Sequence, residues 1–119
     1  MHEMSLVRSL LKQVGEVARE NGGGIVAHIE VEIGPLTGVE PELVRLAFEQ
    51  IKQETGDARA ELTIHQVPMV VHCSNCDTDS KLARFVFRCG NCNSGEVRII
   101  SGDEFRLLNI TLDRTYHVI

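Results

Sequence analysis

Four cysteines constrain this 119-residue chain more than any other feature. They stand as Cys73-Ser74-Asn75-Cys76, twelve further residues, then Cys89-Gly90-Asn91-Cys92. Two residues between paired cysteines allow a tight turn that points both sulfurs at one ion and aims backbone N–H groups at the thiolates. Two such knuckles complete a tetrahedral S4 shell. Asp77 and Asn93 follow the knuckles where glycine is common, and both residue types tolerate the left-handed backbone. A structural metal is therefore expected at Cys73, Cys76, Cys89 and Cys92. Zinc is favoured over iron because it needs no redox chemistry and matches closed S4 sites, although the same shell fits a rubredoxin-type iron. With no open coordination position, the ion holds together a module too small to fold on its own apolar surface, and it does not catalyse. His72 could substitute as a ligand, but a histidine ending a strand is more simply structurally neutral.

The rest of the chain is ordinary in composition, with 43% hydrophobic and 24% charged residues, 10 Gly and 3 Pro. A chain of this length buries roughly two thirds of the surface that it exposes when unfolded, enough for a core without metal support. The net charge of -5, the absence of Trp and an aromatic content of 4% argue against nucleic acid as a partner. Within the cysteine segment, Lys81, Arg84 and Arg88 face Asp77 and Asp79, and only Phe85 and Phe87 could stack on bases. The excess acid lies earlier, since residues 1–72 hold 6 Lys/Arg against 11 Asp/Glu. No basic flank precedes an apolar signal segment, and no 18-residue apolar run occurs, so a cytoplasmic protein without a membrane partner is expected. Disulfides are disfavoured in that compartment.

Periodicity supplies the remaining elements. Leu6, Val7, Leu10, Leu11, Val14, Val17 and Ala18 repeat at helical spacing over 4–20, and Asn21-Gly22-Gly23-Gly24 ends that helix. Ile25 to Ile33 alternates as a strand. After the turn Gly34-Pro35-Leu36-Thr37-Gly38, Pro41 opens a second helix whose broad apolar face holds Leu43, Val44, Leu46, Ala47, Phe48 and Ile51, and Gly56 ends it. Ala60, Leu62 and Ile64 alternate as a second strand that Pro68 helps to stop. Val97, Ile99 and then Phe105 to Leu112 read as strand again, interrupted at Ser101-Gly102-Asp103, with Leu108, Ile110 and Leu112 on one face. The fold class predicted is α+β, with two helices packed on a small three-stranded sheet and an inserted four-cysteine module. Residues 1–67, completed by a last strand over 97–119, form the α/β domain, and residues 68–96 form the metal module.

The beginning of the chain is a second candidate site. The amine of Met1, the amide nitrogen of His2 and its imidazole Nδ1 can form fused chelate rings around a divalent cation, and Glu3 can supply a fourth donor. Nitrogen-rich tetragonal shells suit Ni(II) or Cu(II). The bulky His2 should keep Met1 in place. The simpler reading makes Glu3 a partner of the helix macrodipole and leaves His2 merely exposed, and Glu40 and Glu42 are likewise dipole partners of the second helix. His28, His65 and His117 lack the HExxH spacing of a hydrolytic zinc, and no nucleophile elbow, phosphate loop or dinucleotide fingerprint is present. An enzyme is not expected.

Met1-His2-Glu3 opening an amphipathic helix, Ile33-Gly34 ending the first strand, an acidic residue at Glu40, the paired cysteines, and Ser101-Gly102-Asp103-Glu104-Phe105-Arg106-Leu107 together resemble the HypA/HybF family of hydrogenase nickel-insertion proteins. The resemblance runs over nearly the whole chain in the same order. It implies a nickel-binding α/β domain carrying a rubredoxin-like zinc module. It also implies Ni(2+) as cargo at Met1, His2 and Glu3, with Glu40 as a further candidate, and structural Zn(2+) at Cys73, Cys76, Cys89 and Cys92. The implied function is a nickel metallochaperone, monomer or homodimer, that works with a maturation GTPase of the same pathway and delivers to the hydrogenase large subunit. Asp77 and Asn93 depart from the usual knuckle glycines. The alternative is a zinc-ribbon binding or scaffold module without nickel transfer.

Overall fold

The computed structural model describes residues 2–55, 57–82 and 86–113 and, of His2, the backbone alone. Met1, the expected helix stop at Gly56, Arg84, the Phe85 ring and His117 lie outside the described residues. The chain divides into two compact units. One comprises Met1–Glu32, Val39–His65 and Arg106–Ile119, and the other comprises Ile33–Gly38 and Gln66–Phe105.

In the first unit, helix α1 spans His2–Glu20 and buries Val7, Leu10, Leu11, Val14 and Ala18. Its end is closed by Gly23 N–H donating to the Ala18 carbonyl at 2.7 Å and Gly22 N–H donating to that of Arg19 at 3.3 Å. This pairing needs a left-handed residue, which Gly22 supplies with φ 91. Helix α2 spans Pro41–Thr55, packs on α1, and buries Val44, Ala47, Phe48 and Ile51. Its apolar face is narrower than the sequence suggests, because Leu43 is 42% and Leu46 65% exposed. At about 100° per residue, Leu46 projects roughly 160° round the helix from Val44, outside the buried stripe. Lys52 is buried instead. Its ammonium meets Glu49 Oε2 at 2.9 Å, donates to the Ala60 carbonyl at 3.1 Å and stands 5.3 Å from the Phe48 ring centre, so its charge stays compensated.

Strands β1 (Ile25–Ile33), β2 (Glu61–Gln66) and β6 (Phe105–Asp113) form a sheet in the order β2-β1-β6. On β1, Ile29, Val31 and Ile33 are buried, while the opposite face presents His28, Glu30 and Glu32. Polar partners from the flanking strands meet that face. Thr63 Oγ1 lies 2.7 Å from His28 Nε2, Asn109 Nδ2 donates to Glu30 at 2.6 Å, His65 Nε2 lies 3.4 Å from Glu30, and Arg106 pairs with Glu32. The Asn109 amide, and after it His65, hold the Glu30 carboxyl below its usual range.

In the second unit, strands β3 (Met69–Cys73), β4 (Asp79–Leu82) and β5 (Val97–Ser101) form an antiparallel sheet with β3 in the middle. Met69, Val71 and Cys73 alternate into the buried side. The register shifts by one residue between Val70, opposite Ser101, and Val71, opposite Ile99, so β5 carries Ile100 as a bulge. Residues 33–38 join this unit. Val67 N–H donates to the Ile33 carbonyl, Gly34 N–H to that of Glu104 at 2.7 Å, and Leu36 N–H to that of Gly102 at 2.8 Å. Gly34 admits no side chain, because a Cβ would lie 2.1 Å from the Gly102 carbonyl oxygen.

Two segments therefore differ from expectation. Residues 97–101 and 33–38, assigned by sequence to the first unit, group with the second. Gly102, at φ 132, lies in the three-residue link between β5 and β6, which belong to different sheets, where the sequence suggested an interruption within one strand. No helix among the described residues is long and apolar enough to cross a membrane.

Candidate metal centres

The cysteine cluster grows out of two turns of the same kind. At the end of β3, Asp77 N–H donates to the Cys73 carbonyl at 2.9 Å, and Cys73 N–H donates to that of Thr78 at 2.9 Å. In the second turn Asn93 N–H donates to the Cys89 carbonyl at 3.0 Å, and Cys89 N–H donates to that of Ser94 at 2.8 Å. Asp77 and Asn93 take φ 57 and φ 64, the left-handed backbone expected of the residues after the knuckles.

These turns bring the four sulfurs within 4.8 Å of one another. Cys73 Sγ lies 3.6 Å from Cys92 Sγ, and Cys76 Sγ lies 3.5 Å from Cys89 Sγ. A tetrahedral shell with Zn–S bonds of about 2.3 Å has sulfurs about 3.8 Å apart, so the donor set and its spacing fit a zinc-sized ion. Cys73 and Cys89 are buried, Cys76 is half-buried and Cys92 is exposed.

The surroundings divide the thiols before any ion arrives. Backbone N–H groups of Cys92 and Asn91, 3.4 and 3.3 Å from Cys89 Sγ, bring the Cys89 pKa down to about 5. The Thr78 hydroxyl, 3.0 Å from Cys76 Sγ, and then the Asn91 amide lower that of Cys76. Cys76 and Asn75 N–H groups favour the Cys73 thiolate, yet burial and the neighbouring thiols outweigh them and push its pKa up to about 11. A divalent ion supplies the positive charge that would let all four sulfurs ionise together.

His72 stands outside this cluster. Its Nδ1 lies 2.6 Å from Asp79 Oδ1 and its Nε2 3.0 Å from Asp77 Oδ1, so both ring nitrogens already have carboxylate partners. His28 and His65 lie on β1 and β2, apart from one another in partner and strand. Glu3 sits in the first turn of α1 and is only 8% exposed. Glu40 is exposed at the start of α2, with its carbonyl accepting Val44 N–H at 3.0 Å. Among the described residues the cysteines are the only group of three or more side chains placed to share a metal ion, and neither Glu3 nor Glu40 joins such a group. Met1 and the His2 side chain lie outside the described residues.

The family model described as hydrogenase/urease nickel incorporation, metallochaperone, hypA matches residues 1–112. The chain belongs to the HypA family. The hydrogenase maturation factor HypA of Aquifex aeolicus is 36% identical over 113 residues, which cover 95% of this chain and 98% of that protein. That of Shewanella halifaxensis is 32% identical over 114 residues, covering 96% and 99%. The solution structure of the Ni metallochaperone HypA from Helicobacter pylori superposes with a TM-score of 0.67 at 28% identity, covering 92% of this chain and 96% of that one.

Sequence reasoning missed the polar residues that line the sulfurs in this HypA-family chain. Besides Thr78, these are Asn75, Asn91 and Ser80, whose hydroxyl lies 3.9 Å from Cys89 Sγ and accepts Gly90 N–H at 3.0 Å. A signal for two of them was present, because the residue before the second cysteine of each pair is asparagine.

Proposed function

We propose that this HypA-family chain carries Ni(II) at its N-terminus for hydrogenase maturation and holds a structural zinc ion separately in its four cysteines. The nickel ligands are the Met1 amine, the His2 amide nitrogen and imidazole, and Glu3. Glu40 is a weaker contributor that adds charge or a donor. The observation that carries this reading is a family match that begins at residue 1, on a chain whose first helix starts at His2.

The first four N–H groups of a helix have no intrahelical acceptor, so the amides of His2 and Glu3 are free for other chemistry. A helix N-terminus repels a bare cation, but amide nitrogens that lose their protons on chelation reverse that sign locally. A site made of main-chain nitrogens, an imidazole and a carboxylate at a chain terminus can bind selectively and still release its ion to a partner. The partners in this reading are a maturation GTPase of the same pathway, which supplies or helps to pass the ion, and the hydrogenase large subunit, which receives it in the cytoplasm.

In the cysteine module, Cys73, Cys76, Cys89 and Cys92 would hold zinc with every coordination position filled, so the ion stabilises the second unit and takes no part in transfer. This division assigns nickel carriage to the first unit and zinc to the second.

Nickel titration of the untagged, zinc-loaded protein beside His2→Ala tests the reading. One-to-one binding that is lost in the variant is expected, with Glu40→Ala weakening binding less than His2→Ala. A protein indifferent to nickel would instead leave a zinc-ribbon scaffold.

A further inference from the structure

The two metal-binding turns share a feature beyond their cysteines. Asn75 Nδ2 lies 3.6 Å from Cys92 Sγ, and Asn91 Nδ2 lies 3.6 Å from Cys76 Sγ. Each asparagine precedes the second cysteine of its own knuckle and donates to the second cysteine of the other. The arrangement is therefore reciprocal across the cluster. It also falls on particular cysteines, since Cys76 is a half-buried and Cys92 an exposed residue, whereas Cys73 and Cys89 are buried. Cys89 is served by two main-chain N–H groups.

We infer that Asn75 and Asn91 form a cross-knuckle clasp that makes the four-cysteine site a slow-exchanging one by quenching the two sulfurs from which metal would first be lost. This rests on the reading of the cysteines as a zinc site. Loss of zinc from an S4 shell begins when one zinc–sulfur bond opens at an accessible cysteine, where an electrophile can engage the freed thiolate and a chelator the ion. An N–H donor on that sulfur withdraws electron density from its lone pair and lowers its nucleophilicity. Cys73 and Cys89 are protected by burial together with main-chain N–H donors. Cys76 has Thr78 as a second donor at 3.0 Å, whereas among the described residues no hydroxyl and no other side-chain amide reaches Cys92. The two asparagines are therefore positioning residues of unequal weight, with Asn75 dominant.

Such a clasp suits a nickel carrier. A zinc site that exchanged readily would take up the cargo ion through its sulfurs, and four thiolates would hold nickel too firmly for delivery. Quenching Cys76 and Cys92 keeps the two metals on separate sites in one small chain.

Zinc transfer from the full-length, zinc-loaded protein to an excess of a chromophoric chelator measures the exchange rate directly. Asn75→Ala should accelerate it about tenfold, the usual scale for losing an outer-shell partner, with a smaller acceleration in Asn91→Ala. Asn75→Asp keeps the shape but turns an acceptor toward the sulfur, and should exchange at least as fast as Asn75→Ala. Ser74→Ala should match wild type, because the Ser74 hydroxyl donates to the Glu96 carbonyl and not to a sulfur. In the cobalt-substituted protein, the sulfur-to-metal charge-transfer band should move to lower energy in the asparagine variants alone, a change that a general loosening of the turn would not produce. Exchange rates within twofold of wild type and an unmoved band would overturn the clasp while leaving the zinc site standing. A wild-type protein that binds no stoichiometric zinc would overturn the site reading, and the clasp with it.

Discussion

The two candidate metal centres of this chain are opposites in construction. The four-cysteine cluster collects side chains from residues 73 to 92 and exists only because two turns and the end of β3 bring them together. The proposed nickel site uses three consecutive residues whose main-chain nitrogens are already adjacent along the chain. In the proposed assignment the first centre would draw its affinity from a folded unit, whereas the second would need little more than a free amine and the start of a helix. A site of the first kind would retain its ion, and one of the second kind would give it up.

Removing a cysteine should break this comparison most severely. Cys73→Ala takes away a fully buried ligand, so zinc should be lost and amide protons over 66–105 should exchange freely. The core around Val7, Val14, Phe48 and Ile51 should keep its protection. Collapse of both units together would show that zinc supports the whole chain. Gly34→Ala attacks the same unit without touching a sulfur. The added Cβ meets the Gly102 carbonyl oxygen, and neither backbone can yield cheaply, so a loss of about 2–4 kcal/mol in denaturant unfolding is expected. Nickel binding should survive in both variants, because neither change reaches the N-terminus.

How much of this was readable in the sequence follows the same division. The paired cysteines announce their cluster through spacing, and the long amphipathic stripe of α1 and the alternation of β1 announce themselves through periodicity. The short strands β3 and β4 were hidden, because a five-residue and a four-residue segment among polar and metal-ligating residues carry no clear period. The reassignment of 97–101 turns on Gly102, whose positive φ redirects the chain between sheets, a choice that local pattern does not encode. Leu43 and Leu46 count as apolar in any periodicity, yet only the packing of α2 on α1 decides that they face solvent. The amides that reach across the cysteine knuckles depend on tertiary placement as well.

A smaller effect sharpens the comparison through pH. The Glu30 carboxyl is held below its usual value by Asn109 and His65, so its ionised form stabilises the first unit at and above the unfolded value of about 4.3. That contribution disappears as pH falls through the lower, folded value. Glu30→Gln should therefore be less stable than wild type near neutrality, and the gap should close in acid. Thermal unfolding of the two proteins from pH 7 to pH 3 measures it. A gap that widened in acid would have the wrong sign for this interaction.

In the proposed function, nickel is held by the Met1 amine, the His2 amide and imidazole, and Glu3. Calorimetric nickel titration of three zinc-loaded forms tests it most directly: the native chain, one with a short uncleaved extension before Met1, and one with the same extension after Ile119. An N-terminal extension converts the primary amine into an amide and would dismantle the proposed chelate, while the buried face of α1, Val7, Leu10, Leu11, Val14 and Ala18, keeps its sequence. The native and C-terminally extended forms should bind one nickel ion with the same affinity, and the N-terminally extended form should lose the high-affinity site. Binding by the native form should also fade in acid, as protons compete with the ion for the imidazole and the amine. Unchanged affinity with the N-terminal extension in place would falsify the terminal site and move the search for ligands to His28, His65 and His72.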